Sequence, residues 1–520
     1  MHPFAGQDLS TLVARRSRLH GGKTFLVWER SSGQRHAWTY KEFALDVSRL
    51  AAGLARRGVG QGSHVLVHLE NCPEFLITWF ACARIGAVAV TTNTRLSGSE
   101  LRYLADDCGA VAAITQPAYY PLISDSCPRL SWIAVTSTDA GEETSQNVSA
   151  AESFERLFQD PNDAAYVAPD PWRPHSVMYT SGTTSRPKGV LWTQGNALWG
   201  GRVGSFVQDY TEGDVSLVFL PLFHCNALVT QILSAMWVGA TVVLQRRFSA
   251  RQFWPSATRN GCTIASVVPF CMHAIAEQPI PDNSFRLLIS GANNLHDQQF
   301  GVRTLGWWGM TETVIPAIAG SLQADDEAGT IGRPSPFMQI VITNESGGRA
   351  AVGEAGDLRV RGIPGLSLFS RYLGEPAVTE MCFDDEGFFI TGDRCRLNEN
   401  GTVSFVGREK DMLKVGGENV AASEVESVVL SISDVVEVAV VGKPHAMLDE
   451  VVAAFVIARD GTDETALRAR IGAACEAGLA DFKRPREIIF VKELPRATLE
   501  KVAKSQLREL LAPESEQEVT

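Results

Sequence analysis

The sequence has no C-x-x-C pair, no apolar run long enough to cross a bilayer, no excess of basic residues and no internal repeat. Ten cysteines are scattered, several of them inside apolar runs such as those around Cys82 and Cys262. That pattern argues for reduced, buried thiols and against a disulfide framework or a structural zinc site. The apolar stretch 75–90 is interrupted by Arg84, so it reads as a buried helix and strand rather than a membrane span. The opening MHPFAGQDLS has no apolar h-region, and a cytoplasmic location is the expectation. Lys and Arg number 47 against 59 Asp and Glu, a net charge of −12. A nucleic-acid partner or an anionic membrane surface is therefore not expected, although a local basic pocket is still allowed. No feature fixes the oligomeric state, and a homodimer is compatible with the sequence.

Hydrophobic residues make up 45% of 520 positions, enough for sizeable cores in more than one domain. Helix and strand patterns alternate along the first third: helix 43–57, strand 64–69, helix 73–85, strand 87–92, helix 99–108, strand 110–115. Near-continuous apolar strands between helices predict an α/β fold with parallel, doubly wound sheets. Four prolines mark 159–174 as a linker, and 177–179 reads as a strand delivering a loop at its carboxyl end. Strands at 216–220, 240–244, 263–268 and 286–290 and a helix at 227–236 continue the alternation. From residue 329 short strands separated by turn residues predict a small antiparallel sheet or β-barrel, over about 329–406. A compact α+β module follows, with Ser423 and Glu426 spaced as a capping box. The expected division is an N-terminal domain 1–409, a smaller C-terminal domain 410–511 and a disordered tail 512–520.

The stretch 179–190, YTSGTTSRPKGV, combines glycines, hydroxyls and one lysine. Glycines let backbone approach a ligand, hydroxyls and N–H groups cradle phosphate oxygens, and the lysine adds a point charge. It reads as a phosphate-binding loop for a nucleoside triphosphate, with a polar surface turn as the bland alternative. It is not a Walker A loop, because Lys188 follows a proline and precedes a glycine. Five other stretches carry chemistry: PLFHCN at 221–226, GWWGMTET at 306–313, GFFITGDR at 387–394, VGREKDMLKVGGENV at 406–420 and LPRATLEKVAK at 494–504. Taken singly, each has a structural explanation: a core histidine, an aromatic core strand, a turn presenting Asp393, a solvated loop, a cationic helix start.

Together and in this order, the motifs closely resemble those of the adenylate-forming superfamily: acyl-CoA synthetases, peptide-synthetase adenylation domains and firefly-type luciferases. The resemblance covers nearly the whole chain, from Trp38 to Lys504. Within the superfamily it is similar to the AMP-forming acyl-CoA ligases, especially the crotonobetaine/carnitine-CoA ligase-like branch. The resemblance implies a large N-terminal domain, a mobile C-terminal lid, and two half-reactions. A carboxylate attacks the α-phosphorus of ATP to give acyl-AMP and pyrophosphate, and the CoA thiol then displaces AMP. It also implies Mg²⁺ as cofactor.

The resemblance further implies roles for single residues. Thr180, Ser181, Gly182, Thr183 and Thr184 hold the β- and γ-phosphates, supported by Lys188. Thr311 contacts the α-phosphate and Glu312 binds Mg²⁺. Trp308, where tyrosine is usual, stacks on adenine next to Gly309, with Gly291 and Ala292 on the other adenine face. Asp393 and Arg408 hold the ribose. Lys501 bridges the carboxylate and α-phosphate. Lys410 is the hinge that withdraws Lys501 and brings Gly416, Gly417 and Glu418 to the CoA tunnel. His224 lies at the acyl pocket, near the carboxylate or gating the CoA tunnel. Trp199, Phe223, Asn226, Val229, Phe270 and Trp307 are acyl-pocket candidates.

Two departures from the family pattern stand out. The segment 294–299 is short, which predicts a tight loop in place of a helix, and Glu500 replaces the glycine that usually precedes the catalytic lysine. Two rival activities share most of the motifs: an acyl-AMP ligase that loads a carrier protein, and an ATP-binding pseudoenzyme. The acid itself is open among carnitine- or betaine-like, short or branched aliphatic, and aryl classes.

Overall fold

The computed structural model describes residues 2–30, 32–96, 98–144, 148, 151–163, 167–180, 187–290, 294–323, 327, 329–408, 412–415, 418–445, 447–479, 481–496 and 502–511. The chain forms two compact units: residues 1–340, 360–389 and 401–403 in the first, and 341–359, 390–400 and 404–520 in the second.

Two twisted sheets organise the first unit. One runs Arg371–Tyr372, Lys188–Thr193, Pro174–Thr180, Val88–Thr91, His64–His68, Ala112–Thr115, Trp132–Val135, Glu152–Ser153. It is parallel from Pro174–Thr180 onward, and its first three strands alternate in direction. The other has nine strands, with Arg303–Trp308, Leu287–Ser290, Ile264–Ser266, Val215–Val218, Thr241–Gln245 and Thr24–Glu29 in a parallel core. The doubly wound expectation holds, and it holds for the stated reason: the strands are buried on both faces.

Local chemistry sets the helices between the strands. Helix Tyr40–Arg56 starts at Thr39, whose hydroxyl accepts from the Glu42 N–H at 3.2 Å while the Glu42 carboxylate accepts from the Thr39 N–H at 2.8 Å. This reciprocal cap satisfies two donors the helix start would otherwise leave open. Helix Pro73–Ile85 begins on a proline and stops at Gly86, whose φ of +73° is cheap only for glycine. Nearly every side chain of that helix is buried, which is why its sequence is apolar all round.

In the second unit, strands Glu418–Ala421, Met412–Val415, Asp449–Ala458 and Val435–His445 pair in that order, and Glu487–Phe490 adds in parallel to Asp449–Ala458. The period of two is plain here. Val438 and Val440 pack with Val425, Val429, Leu467 and Ile471 on one face, while Ala439 and Val441 pack with Leu494 and Leu507 on the other. The strands Gln339–Thr343, Ala355–Arg361, Phe389–Leu397 and Val403–Arg408 make a four-stranded sheet in that order.

Three expectations are corrected. Residues Asn294–Phe300 form a short helix, not a tight loop. Asp297 anchors it, accepting from the Thr304 N–H at 2.8 Å and from its hydroxyl at 2.5 Å, so two turns suffice to reach the next strand. Ser423 and Glu426 do not form a capping box. The helix Ala422–Leu430 starts one residue earlier, so the Ser423 hydroxyl turns back to the carbonyl of Val406 and Glu426 accepts from the Val440 N–H at 2.8 Å. Asp393 sits inside the strand Phe389–Leu397 rather than in a turn; the positive φ of Gly392, +72°, provides the irregularity the sequence suggested. The expected tail 512–520 lies outside the described residues.

Candidate active site

The phosphate-loop motif joins two antiparallel strands, Pro174–Thr180 and Lys188–Thr193. Thr180 pairs with Lys188 and Tyr179 with Gly189. Residues 181–186, hence Ser181, Gly182, Thr183 and Thr184, lie outside the described residues. Both ends of the loop are tied to helix Gly98–Cys108: the Tyr179 hydroxyl donates to Asp107 Oδ2 at 2.6 Å, and the Tyr103 hydroxyl donates to the Pro187 carbonyl at 3.2 Å. Gly189 is closely surrounded. A Cβ there would lie 3.1–3.2 Å from Val177, Leu373 and Tyr179.

Thr311–Thr313 form a single 3-10 turn directly after the strand Arg303–Trp308. Its carbonyls are held from two sides: Trp192 donates its indole N–H to the Thr311 carbonyl at 3.0 Å, and the Phe369 N–H donates to the Glu312 carbonyl at 2.8 Å. The Glu312 side chain is 3% exposed, and its Oε1 accepts from the Tyr372 hydroxyl at 2.9 Å. The turn ends at Val314, a β-branched residue with φ +63°. That conformation is costly for such a side chain and marks a place where surrounding contacts dictate the backbone.

Segment 365–373 brings these parts together. Thr193 donates its hydroxyl to the Gly365 carbonyl at 2.6 Å, and the Asn196 amide donates to Leu366 and Leu368 at 2.8 and 2.7 Å. Arg371–Tyr372 then pairs with Val190 and Leu191. The Lys188 ammonium stands 5.1 Å from the centre of the Tyr372 ring. Burial, followed by the neighbouring Glu312 carboxylate and Cys382 thiol, pushes the Tyr372 hydroxyl far above its ordinary pKa, so it stays a neutral donor.

The PLFHCN stretch also reaches this turn. Cys225 Sγ lies 4.0 Å from Thr311 Oγ1. Buried Asn71 fixes the stretch: its amide donates to the carbonyls of Leu220 at 2.9 Å and Gln245 at 3.1 Å, and its Oδ1 accepts from the Leu222 N–H at 2.9 Å. The His224 ring packs 4.4 Å from Phe223. Asn226 opens an eight-residue π-helical segment, Asn226–Leu233, where an ordinary helix was expected. The Thr230 hydroxyl turns onto the Asn226 carbonyl, and Asn226 Oδ1 accepts from Ser266 at 2.9 Å and Thr230 at 3.1 Å. Such π segments widen the backbone and recur at functional sites.

The remaining candidates scatter. Trp308 is 7% exposed and Trp307 half-buried; as strand neighbours they face opposite sides. Trp199 is half-buried, with Phe337 6.0 Å away. Val229 is buried against Gly200. Asp393, in the second unit, is 2% exposed, and its N–H donates to the Thr391 hydroxyl at 3.1 Å. Gly291, Ala292, Lys410, Gly416, Gly417, Glu500 and Lys501, and the side chains of Phe270, Arg408 and Glu418, lie outside the described residues. Asn71, Trp192, Phe369 and Tyr372 are not among the residues the motifs single out. Their roles depend on pairing between distant segments, for which one sequence carries no signal.

Among the described residues no group of three or more His, Cys, Asp or Glu could hold a metal ion. The buried Glu312 carboxylate fits Mg²⁺ that would take the rest of its shell from phosphate oxygens and water. No helix among the described residues is long and apolar enough to cross a membrane.

Residues 13–373 match the AMP-binding enzyme family, and residues 424–501 match the AMP-binding enzyme C-terminal domain. The chain is 32% identical to the crotonobetaine/carnitine–CoA ligase of Proteus mirabilis (strain HI4320), over 98% of this chain and all of that protein. Among solved structures, ATP-bound MatB from Rhodopseudomonas palustris superposes with a TM-score of 0.84 at 27% identity, covering 97% of this chain and 99% of that one. The anthranilate CoA ligase AuaEII in complex with anthranoyl-AMP gives 0.88 at 24% identity, covering 98% of each, which speaks to the fold. A buried carboxylate turn beside a glycine- and hydroxyl-rich hairpin, on two doubly wound sheets, thus has its relatives: the chain belongs to the family of AMP-binding enzymes.

Proposed function

We infer that the protein is an ATP-dependent, AMP-forming acid–CoA ligase. It activates a carboxylic acid as acyl-AMP with release of pyrophosphate and passes the acyl group to CoA. The observation that carries this reading is the Thr311–Glu312 turn, locked to the phosphate-loop hairpin by Trp192 and Tyr372. Attack of one anion on another needs charge neutralisation and alignment more than covalent help. Thr180, the 181–184 loop and Lys188 hold the departing pyrophosphate. Thr311 touches the α-phosphate. Glu312 carries Mg²⁺, which neutralises charge on the triphosphate when bound. Trp308 and Gly309, with Gly291 and Ala292 opposite, enclose adenine, and Asp393 with Arg408 binds ribose.

Lys501 drives the first step from a mobile domain, 410–511. Rotation about Lys410 then exchanges it for the Gly416–Gly417–Glu418 loop at the CoA thiol. One cation cannot occupy the carbonyl while the thiol approaches it, which is the reason for two arrangements.

The acyl pocket is built from Trp199, Phe223, His224, Asn226, Val229, Phe270 and Trp307. None of these is a carboxylate, which disfavours an α-amino acid. A quaternary ammonium acid, the class named in the Proteus mirabilis relative, fits aromatic walls through cation–π contact worth roughly 0.5–2 kcal/mol. Aryl and branched acids fit the same walls through burial alone. A panel of these acids in a pyrophosphate-release assay, run with and without CoA, tests the reading. Release that depends on one class of acid, with thioester formed only when CoA is present, supports it. No release with any acid reduces the protein to a nucleotide binder, and transfer to a carrier protein in preference to CoA reassigns the acceptor.

A further inference from the structure

Tyr372 lies outside every motif that identifies the family reading, yet it touches two of the parts that reading uses. Its hydroxyl donates to Glu312 Oε1 at 2.9 Å, and its ring lies under the Lys188 ammonium at 5.1 Å. The residue is itself immobilised. It is 5% exposed, its backbone pairs with Val190, its N–H donates to the Thr379 hydroxyl at 3.0 Å, and its ring packs 4.8 Å from Phe369. Phe369 in turn grips the Glu312 backbone.

We propose that Tyr372 is a positioning residue for adenylation: one side chain aims the Glu312 carboxylate at the metal–triphosphate and seats Lys188 beside it. The inference rests on the reading that Glu312 carries the metal. The chemistry of the donor matters. A buried carboxylate that must bind a cation needs a fixed orientation and must stay ionised. An arginine or lysine donor provides both but neutralises the charge the cation needs. A phenol hydroxyl fixes the carboxylate without placing a positive charge beside it. Lys188 is drawn to the ring face by cation–π attraction, which holds its ammonium beside the phenol.

Two substitutions separate the two contacts. Tyr372→Phe keeps the ring and removes the hydroxyl; Tyr372→Leu removes both. With Tyr372→Phe the Mg²⁺ concentration giving half-maximal pyrophosphate release should rise about tenfold. Saturating Mg²⁺ should restore most of the rate, and ATP binding measured without metal should stay unchanged. With Tyr372→Leu the same shift should be joined by weaker metal-free ATP binding, because Lys188 has lost its platform. Mn²⁺ binding to the protein–ATP complex, read by paramagnetic resonance, should weaken in parallel with the Mg²⁺ shift and does not depend on turnover. Unchanged metal dependence in Tyr372→Phe overturns the proposal, as does a rate loss that no metal concentration relieves. Glu312→Gln separates the two levels. If it leaves metal dependence untouched, the assignment of the metal to Glu312 is wrong. If it shifts metal dependence and Tyr372→Phe does not, only the role of Tyr372 falls.

Discussion

Trp192 donates its indole N–H to the backbone carbonyl of Thr311 across 3.0 Å, joining the strand that leaves the phosphate loop to the turn that presents Glu312. Trp192 is fully buried, so no water replaces the bond once it is lost. Trp192→Phe keeps an aromatic ring and removes the indole donor from the Thr311 carbonyl, to which the Val314 N–H still donates at 3.4 Å, a cost of about 0.5–1.5 kcal/mol. The expected result is a lower melting temperature and a fall in ATP-dependent pyrophosphate release of about 10- to 100-fold, because small displacements of a positioned group cost rate steeply. Wild-type kinetics in this variant contradict the role given to the bond.

The acyl side depends on a close approach of a different kind. A Cβ on Gly200 would lie 2.3 Å from Val229 Cγ1, which no real side chain tolerates. Gly200→Ala should therefore push helix Gln194–Val207 from the π segment at a cost of about 1–3 kcal/mol. It should raise KM for the acid more than KM for ATP. Adding Val229→Ala should return much of both stability and KM, since the clash disappears. Additive losses in the double variant would show that the two positions are not coupled.

The motifs made the chemistry legible only as an ordered set that resembles one superfamily, since each taken singly also has a structural explanation. Element types were legible wherever a local signal existed. Proline at the first position and glycine beyond the last delimit Pro73–Ile85, and those residues could be read directly. What could not be read arises from contacts between distant segments. The 294–299 stretch looked too short for a helix, but Asp297 bonds to Thr304 and makes two turns worthwhile. Ser423 and Glu426 had the spacing of a cap, but the helix began a residue earlier. Tyr372 sits in SRYLGEP, which carries no chemical signature; its place beside Glu312 comes from pairing with the Lys188–Thr193 strand, far earlier in the chain.

Stability should fall on mild acidification, and His175 should be one cause. It is fully buried against Trp79, 4.1 Å between ring centres, and burial lowers its pKa from 6.5 to about 3. The neutral form is the one the fold accepts. The unfolded chain takes up the proton first, so this stability is complete above pH ~6.5 and is lost as pH falls toward the folded pKa. At pH 5 the loss from this residue is about 2 kcal/mol. His175→Gln cannot titrate, so its melting temperature should drop less between pH 7.5 and pH 5 than that of the wild type. Some drop should persist, because buried His68 is lowered in the same way, to about 4. Equal declines in both proteins would remove His175 from the account.

On the proposed function, one chain runs two half-reactions with different charged groups at the same carbonyl. Lys501→Ala tests it most directly, with adenylation followed by pyrophosphate release and thioester formation followed separately from supplied acyl-AMP and CoA. Adenylation should be nearly abolished while transfer from acyl-AMP to CoA continues close to the wild-type rate. Equal loss of both steps would contradict the claim.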